Sequence, residues 1–223
     1  MNQEQALSLL KETKLVAILR GIPVKQATDI ATALYDGGVR VLEFTFDHDD
    51  PDCVAHNCQR IRAVKKIFGD EMVVGCGTAL TVQEVEASVE AGGQIVISPN
   101  VDVSVIAKTK ALGAISMPGA LTPTEIVTAY NAGADIVKLF PAGTLGVPYI
   151  KAVRGPLGYI PMSAVGGVRP ETIADFLNVG VCGFGVGGEL VKKEFVRSGD
   201  MNALTSRARE FVHAIEHWEA NRS

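Results

Sequence analysis

Asp135-Ile136-Val137-Lys138-Leu139-Phe140-Pro141-Ala142 reads as a short strand buried on both faces, with one lysine in its middle. Runs that are nearly continuously apolar, rather than alternating, suit a parallel sheet covered by helices. Strand side chains alternate, so Ile136, Lys138 and Phe140 share one face while Val137 and Leu139 share the other. Seven similar runs accompany it, so strands are expected at about 15–20, 39–45, 72–76, 95–98, 114–117, 135–139, 161–164 and 182–186. Helical periodicity fills the gaps; Ala27, Ile30, Ala31 and Leu34 follow the spacing of one helix face. Glycines stand where these helices should stop, at Gly37-Gly38, Gly69, Gly92-Gly93, Gly113, Gly133 and Gly180, each shortly before a strand. Thr81-x-x-Glu84 and Thr122-Pro123-Thr124-Glu125 have the form of capping boxes, and Arg169-Pro170-Glu171 marks another helix start. Residues 2–13 and 200–219 read as a first and a last helix. Eight strand-then-helix units in 223 residues predict an α/β fold, a (β/α)8 TIM barrel with an N-terminal helix, as a single domain over residues 1–223. A doubly wound open sheet is the alternative, and it normally has fewer strands at this length.

A hydrophobic share of 47% is enough for one sizeable core. The net charge of −4, with no basic patch, argues against nucleic acid or a membrane surface as partner. No run approaches the length of a membrane span, and the first residues are too acidic and too short of apolar length for a secretory signal. A cytoplasmic protein is therefore expected. Cys53, Cys58, Cys76 and Cys182 lack C-x-x-C spacing and read as reduced thiols, neither a disulfide frame nor a zinc site.

In a (β/α)8 barrel the chemistry collects at the C-terminal ends of the strands. Lys138 comes from the sixth strand. Among apolar neighbours its pKa is pushed down by desolvation, which leaves a neutral amine able to attack a ketone. The plainer alternative is a lysine that snorkels or pairs with an acid. Glu43 lies on the second strand, with Leu42 and Phe44 facing the helices and Glu43 facing inward. It is a candidate proton shuttle, or else a structural partner of Lys138 or Arg20. Two glycine pairs, Gly166-Gly167 and Gly187-Gly188, follow the seventh and eighth strands. Glycines before a helix start let backbone N–H groups approach a phosphate, although tight turns alone also explain each pair. Arg20, ending the first strand, offers a planar fork for a carboxylate or phosphate, or a salt bridge to Glu43 or Glu189. Thr78, after what reads as a Gly-x-Gly turn, offers a hydroxyl and an N–H. Asp47-His48-Asp49-Asp50-Pro51-Asp52 has metal-ligand types but no second cluster, and reads as a solvated acidic loop. His56, His213 and His217 have no triad partners in view.

Taken together these motifs resemble a known family. Lys14-Leu-Val-Ala-Ile-Leu-Arg-Gly21, Val-Leu-Glu43-Phe-Thr, Val-Gly-Cys-Gly-Thr78, Ile-Ser-Pro99-Asn, Pro118-Gly119, Val-Lys138-Leu-Phe-Pro-Ala, Ala-Val-Gly-Gly-Val168 and Gly-Val-Gly-Gly188 are similar to the class I pyruvate aldolases. These cleave 2-dehydro-3-deoxy-6-phosphogluconate (KDPG), 4-hydroxy-2-oxoglutarate (KHG) or 2-dehydro-3-deoxy-6-phosphogalactonate. The likeness runs from about residue 14 to 195, and Gly-x-Pro-Tyr-Ile-Lys at 146–151 leans toward the phosphogalactonate branch. The resemblance implies a lyase of carbohydrate metabolism that yields pyruvate plus glyceraldehyde 3-phosphate or glyoxylate. It implies a Schiff base on Lys138 and proton transfer by Glu43. Thr78 and Arg20 would hold the anionic ends of the substrate, with Pro99 and Phe140 shaping the pocket and Gly166, Gly167, Gly187 and Gly188 cradling phosphate. It further implies a homotrimer acting on a small phosphorylated 2-oxo acid, with no metal and no cofactor beyond the lysine itself. Two positions depart from the pattern. Asp47 stands where the phosphogluconate branch has arginine. Gly188 stands where the family often has serine, and Glu189 follows it, a carboxylate that would repel phosphate unless it turns away. A sugar-phosphate epimerase or isomerase barrel, and a non-catalytic phosphate-binding barrel, are the alternatives.

Overall fold

The computed structural model describes residues 1–222. Among them nine parallel strands form one sheet: β1 Leu15–Leu19, β2 Val41–Thr45, β3 Val73–Gly77, β4 Ile95–Ile97, β5 Ile115–Met117, β6 Gly119–Ala120, β7 Val137–Leu139, β8 Met162–Val165 and β9 Gly183–Val186. Their order is β5-β4-β3-β2-β1-β9-β8-β7-β6. The two ends of that order, β5 and β6, are separated in the chain only by Pro118, so the sheet closes on itself through its own backbone. Proline has no N–H to give to a ladder. The chain jogs there: Met117 pairs back to Ile97, and Gly119 pairs forward to Lys138. The Pro118 carbonyl still accepts from the Lys138 N–H at 2.9 Å. The eight expected strands are therefore present, the fifth in two pieces, and the fold is the (β/α)8 barrel.

Ten α-helices accompany the strands among the described residues: α1 Gln3–Thr13, α2 Ala27–Asp36, α3 Cys53–Phe68, α4 Val82–Glu90, α5 Val103–Ala111, α6 Pro123–Asn131, α7 Ala142–Leu157, α8 Ile173–Asn178, α9 Lys193–Ser198 and α10 Met201–Ala220. The two expected capping boxes form, with Thr81 and Thr122 accepting from the N–H groups of Glu84 and Glu125. The long α7 run contains a break at Gly146, whose φ of 74° is not helical. No helix of the described residues is long and apolar enough to cross a membrane.

Alternation along the strands sorts the core into two parts. Leu42, Phe44, Val137, Leu139 and Phe184 join the layer between sheet and helices. Val16, Val41, Val73, Ile95, Ile115 and Ile136 fill the barrel interior, where Ala6 and Leu10 of α1 pack against them. Burying a leucine in this way contributes about 2 kcal/mol. The N-terminal helix thus stoppers the lower end of the barrel, and the opening lies at the C-terminal ends of the strands.

Candidate active site

Two residues further along, at the next inward positions of β1, β2 and β7, the apolar filling gives way to a cavity of about 250 Å³. Its walls carry all ten residues singled out in the sequence: Lys138 and Glu43, Arg20 and Thr78, Pro99 and Phe140, and the two glycine pairs. Ile18, Val165 and Gly185 add to the floor and sides. Those three follow from strand parity, since each is an inward position, but they carry no chemical signal of their own.

Lys138 is 8% exposed. Burial is the main force holding its ammonium below the usual lysine range; Glu43 pulls the other way and Arg20 reinforces the depression. Its Nζ lies 5.0 Å from the centre of the Phe140 ring, which stands partly in solvent at the cavity mouth. Glu43 faces it from β2 and is 1% exposed. Burial raises its carboxyl from 4.5 to about 7, against the opposing pull of Lys138 and Arg20. Glu43 Oε2 is buried with no hydrogen-bond partner among the described residues. An unpaired carboxyl oxygen inside a protein is costly, so its retention points to a task rather than to stability.

Room for that carboxyl comes from Gly77. A Cβ there would stand 2.0 Å from Glu43 Oε2. Gly77 had the appearance of a turn residue, yet it closes β3, and its missing side chain is what admits the acid. Thr78 follows at φ 57°. A β-branched residue in the left-handed region is a true outlier, of the kind that clusters at functional sites.

Arg20 is exposed and makes neither of the two salt bridges considered for it. The Glu189 carboxylate instead lies 3.6 Å from Arg169 and 3.9 Å from Arg207. Gly166 and Gly167 have φ of 89° and 71°, a paired left-handed conformation that leaves bare backbone on the cavity wall. In the acidic loop, His48 contacts Glu84 at 2.7 Å and His56 contacts Asp50 at 2.7 Å. Among the described residues no group of three or more His, Cys, Asp or Glu side chains could hold a metal ion. All four cysteines are free, and burial pushes Cys76 up to about 12 and Cys182 up to about 11.

Comparison with known proteins adds to this geometry. The family model for "KDPG and KHG aldolase" matches residues 7–207. The chain belongs to that family. It is therefore an aldolase, a carbon–carbon lyase, and the epimerase and non-catalytic alternatives fall away. The 2-dehydro-3-deoxy-6-phosphogalactonate aldolase of Escherichia coli (strain K12) is 35% identical over 179 residues, covering 80% of this chain and 84% of its own. The KHG/KDPG aldolase of the same organism is 33% identical over 216 residues, covering 95% of this chain and 96% of its own. A solved structure described as native KDPGal superposes with a TM-score of 0.83 at 33% identity, covering 92% of this chain and 96% of that one. Members of the family share a lysine Schiff base, and in this aldolase Lys138 is the lysine on the cavity wall.

Proposed function

We propose that this aldolase cleaves a 2-dehydro-3-deoxy-6-phospho sugar acid, foremost the phosphogalactonate, to pyruvate and glyceraldehyde 3-phosphate. The observation that carries the reading is Lys138, desolvated inside the barrel and facing a carboxyl whose pKa is about 7, in a cavity whose other end is two glycine loops. The neutral Lys138 amine attacks the C2 ketone, and the carbinolamine hydroxyl takes a proton from solvent and leaves as water, giving an iminium; the final hydrolysis returns that proton. Glu43 then takes the C4 hydroxyl proton as the C3–C4 bond breaks and its electron pair flows into the iminium. The aldehyde leaves. Glu43 returns its proton to C3 of the enamine, and hydrolysis frees pyruvate and the lysine. A carboxyl near pH 7 can both accept and donate, which this sequence requires. Thr78 and Arg20 hold the anionic ends of the substrate, Pro99 and Phe140 border the pocket, and the glycine pairs receive the phosphate. No cofactor is needed, because the iminium is itself the electron sink. A cytoplasmic homotrimer remains part of the proposal, with 4-hydroxy-2-oxoglutarate as a secondary substrate.

Initial rates on the phosphogluconate, phosphogalactonate and hydroxyglutarate substrates, run side by side, test the preference. The highest kcat/KM is expected for the phosphogalactonate; a clear preference for hydroxyglutarate would overturn the phosphorylated-substrate reading. A second expectation concerns Gly77→Ala. The added methyl displaces only the flexible end of Glu43, so the protein folds and is still trapped by pyruvate and borohydride. Cleavage slows by roughly 10- to 100-fold, because a misplaced proton carrier loses its alignment. Unchanged cleavage would remove Glu43 from the proton pathway.

A further inference from the structure

The two glycine loops each end in a charged residue of opposite sign. Arg169 follows Gly166-Gly167-Val168, and Glu189 follows Gly187-Gly188. Across the gap Arg169 Nε stands 3.6 Å from Glu189 Oε1. From the other side Arg207 Nη2 stands 3.9 Å from Glu189 Oε2, while its Nε donates to the Glu189 carbonyl at 2.9 Å. The backbone of the loop is thus pinned by a true hydrogen bond. Among the described residues the carboxylate is held only by two contacts longer than a hydrogen bond. Glu189 also lines the same cavity as Lys138. A phosphate seated at the glycine loops therefore shares the cavity with this negative charge.

We propose that Arg169 and Glu189 are a specificity pair that sets how strongly the site prefers a phosphorylated over an unphosphorylated 2-oxo acid. The proposal rests on the phosphorylated-substrate reading above. Arg169 masks Glu189 when the site is empty. It is 61% exposed at its side chain and loosely held, so its guanidinium can turn to an incoming phosphate dianion while Arg207 retains Glu189. Phosphate then competes with Glu189 for one cation. A neutral sugar tail gains nothing from that exchange, so the pair acts on the phosphorylated substrate selectively.

The test is a double-mutant cycle read as a selectivity ratio: kcat/KM for the phosphorylated sugar acid over kcat/KM for the same acid without its phosphate. Glu189→Gln is expected to raise the ratio about fivefold, since a like charge leaves the phosphate path. Arg169→Ala is expected to lower it about tenfold, leaving Glu189 less masked and removing a phosphate partner. The double variant should fall between the two. If the pair merely tied the loops together, each single variant would change both substrates in parallel and the ratio would stay within twofold of wild type, which overturns the proposal. Calorimetry with inorganic phosphate reads the same ordering without turnover: tighter on Glu189→Gln, weaker on Arg169→Ala. Loss of that ordering with sugar-acid cleavage intact sinks the pair alone. Absence of cleavage with the ordering intact sinks the substrate reading alone.

Discussion

Lys138→Met is expected to lose roughly 10⁴-fold or more in kcat, the scale seen when a covalent nucleophile is removed. Methionine is similar in length and unbranched, so the cavity keeps its shape while the amine goes. Incubation with pyruvate and borohydride gives wild type a reduced pyruvoyl adduct, visible by mass spectrometry, and gives the variant none. Near-normal turnover by the variant would end the Schiff-base mechanism. Stability moves the other way. Burial holds the Lys138 pKa below 10.5, so at pH 7 the native state binds its proton less tightly than the unfolded chain does. That penalty is present below the depressed pKa and fades as pH rises toward 10.5. The variant, free of it, is expected to melt at least as high as wild type at pH 7, with the gap closing in alkali. A large drop in Tm at neutral pH would mean that the amine is structural, held by contacts rather than tolerated for chemistry.

Much of this site was open to reading because strand parity is a local rule. Val41, Glu43 and Thr45 had to share a face, as did Ile136 and Lys138, and the barrel then brings the two inward faces together. The glycine pairs were legible for the same reason: each sits at the end of its own strand. What stayed hidden depends on contacts between residues far apart in sequence. Gly77 looked like a turn because nothing nearby shows that a carboxyl 34 positions earlier fills its empty side. That Glu189 stands between two arginines stayed hidden, because Arg169 and Arg207 come from other units and Arg207, on the last helix, is no sequence neighbour of its loop. The split of the fifth strand at Pro118 was visible as a residue but not as a closure, since only the register shows β5 pairing backward and β6 forward.

Glu43→Gln separates the two roles that the cavity assigns to its polar pair. Lys138 remains, so the variant should still be trapped by pyruvate and borohydride. Proton transfer fails, so cleavage slows by about 10²- to 10⁴-fold, and exchange of the pyruvate methyl hydrogens with heavy water slows with it. Exchange at the wild-type rate would assign proton transfer to another group. The wild-type pH profile carries a matching sign. Glu43 must be ionised to take the C4 hydroxyl proton, so kcat/KM is expected to fall on the acid side through about pH 7, and the glutamine variant should lack that limb. Stability again opposes function. The folded pKa lies above the ordinary carboxyl value of 4.5, so the native state holds this proton more tightly than the unfolded chain. Wild-type stability therefore declines as pH rises from 4.5 through about 7 and is flat beyond that for this group. The rise in pKa converts to on the order of 3 kcal/mol. Part of the gain is cancelled, because removing the carboxylate leaves Lys138 without its counter-charge. Glu43→Gln is therefore expected to melt higher than wild type at pH 8 and level with it near pH 4. A variant less stable at pH 8 would show that the Glu43–Lys138 attraction outweighs the burial of the acid, and that the pair is kept for folding as well as for catalysis.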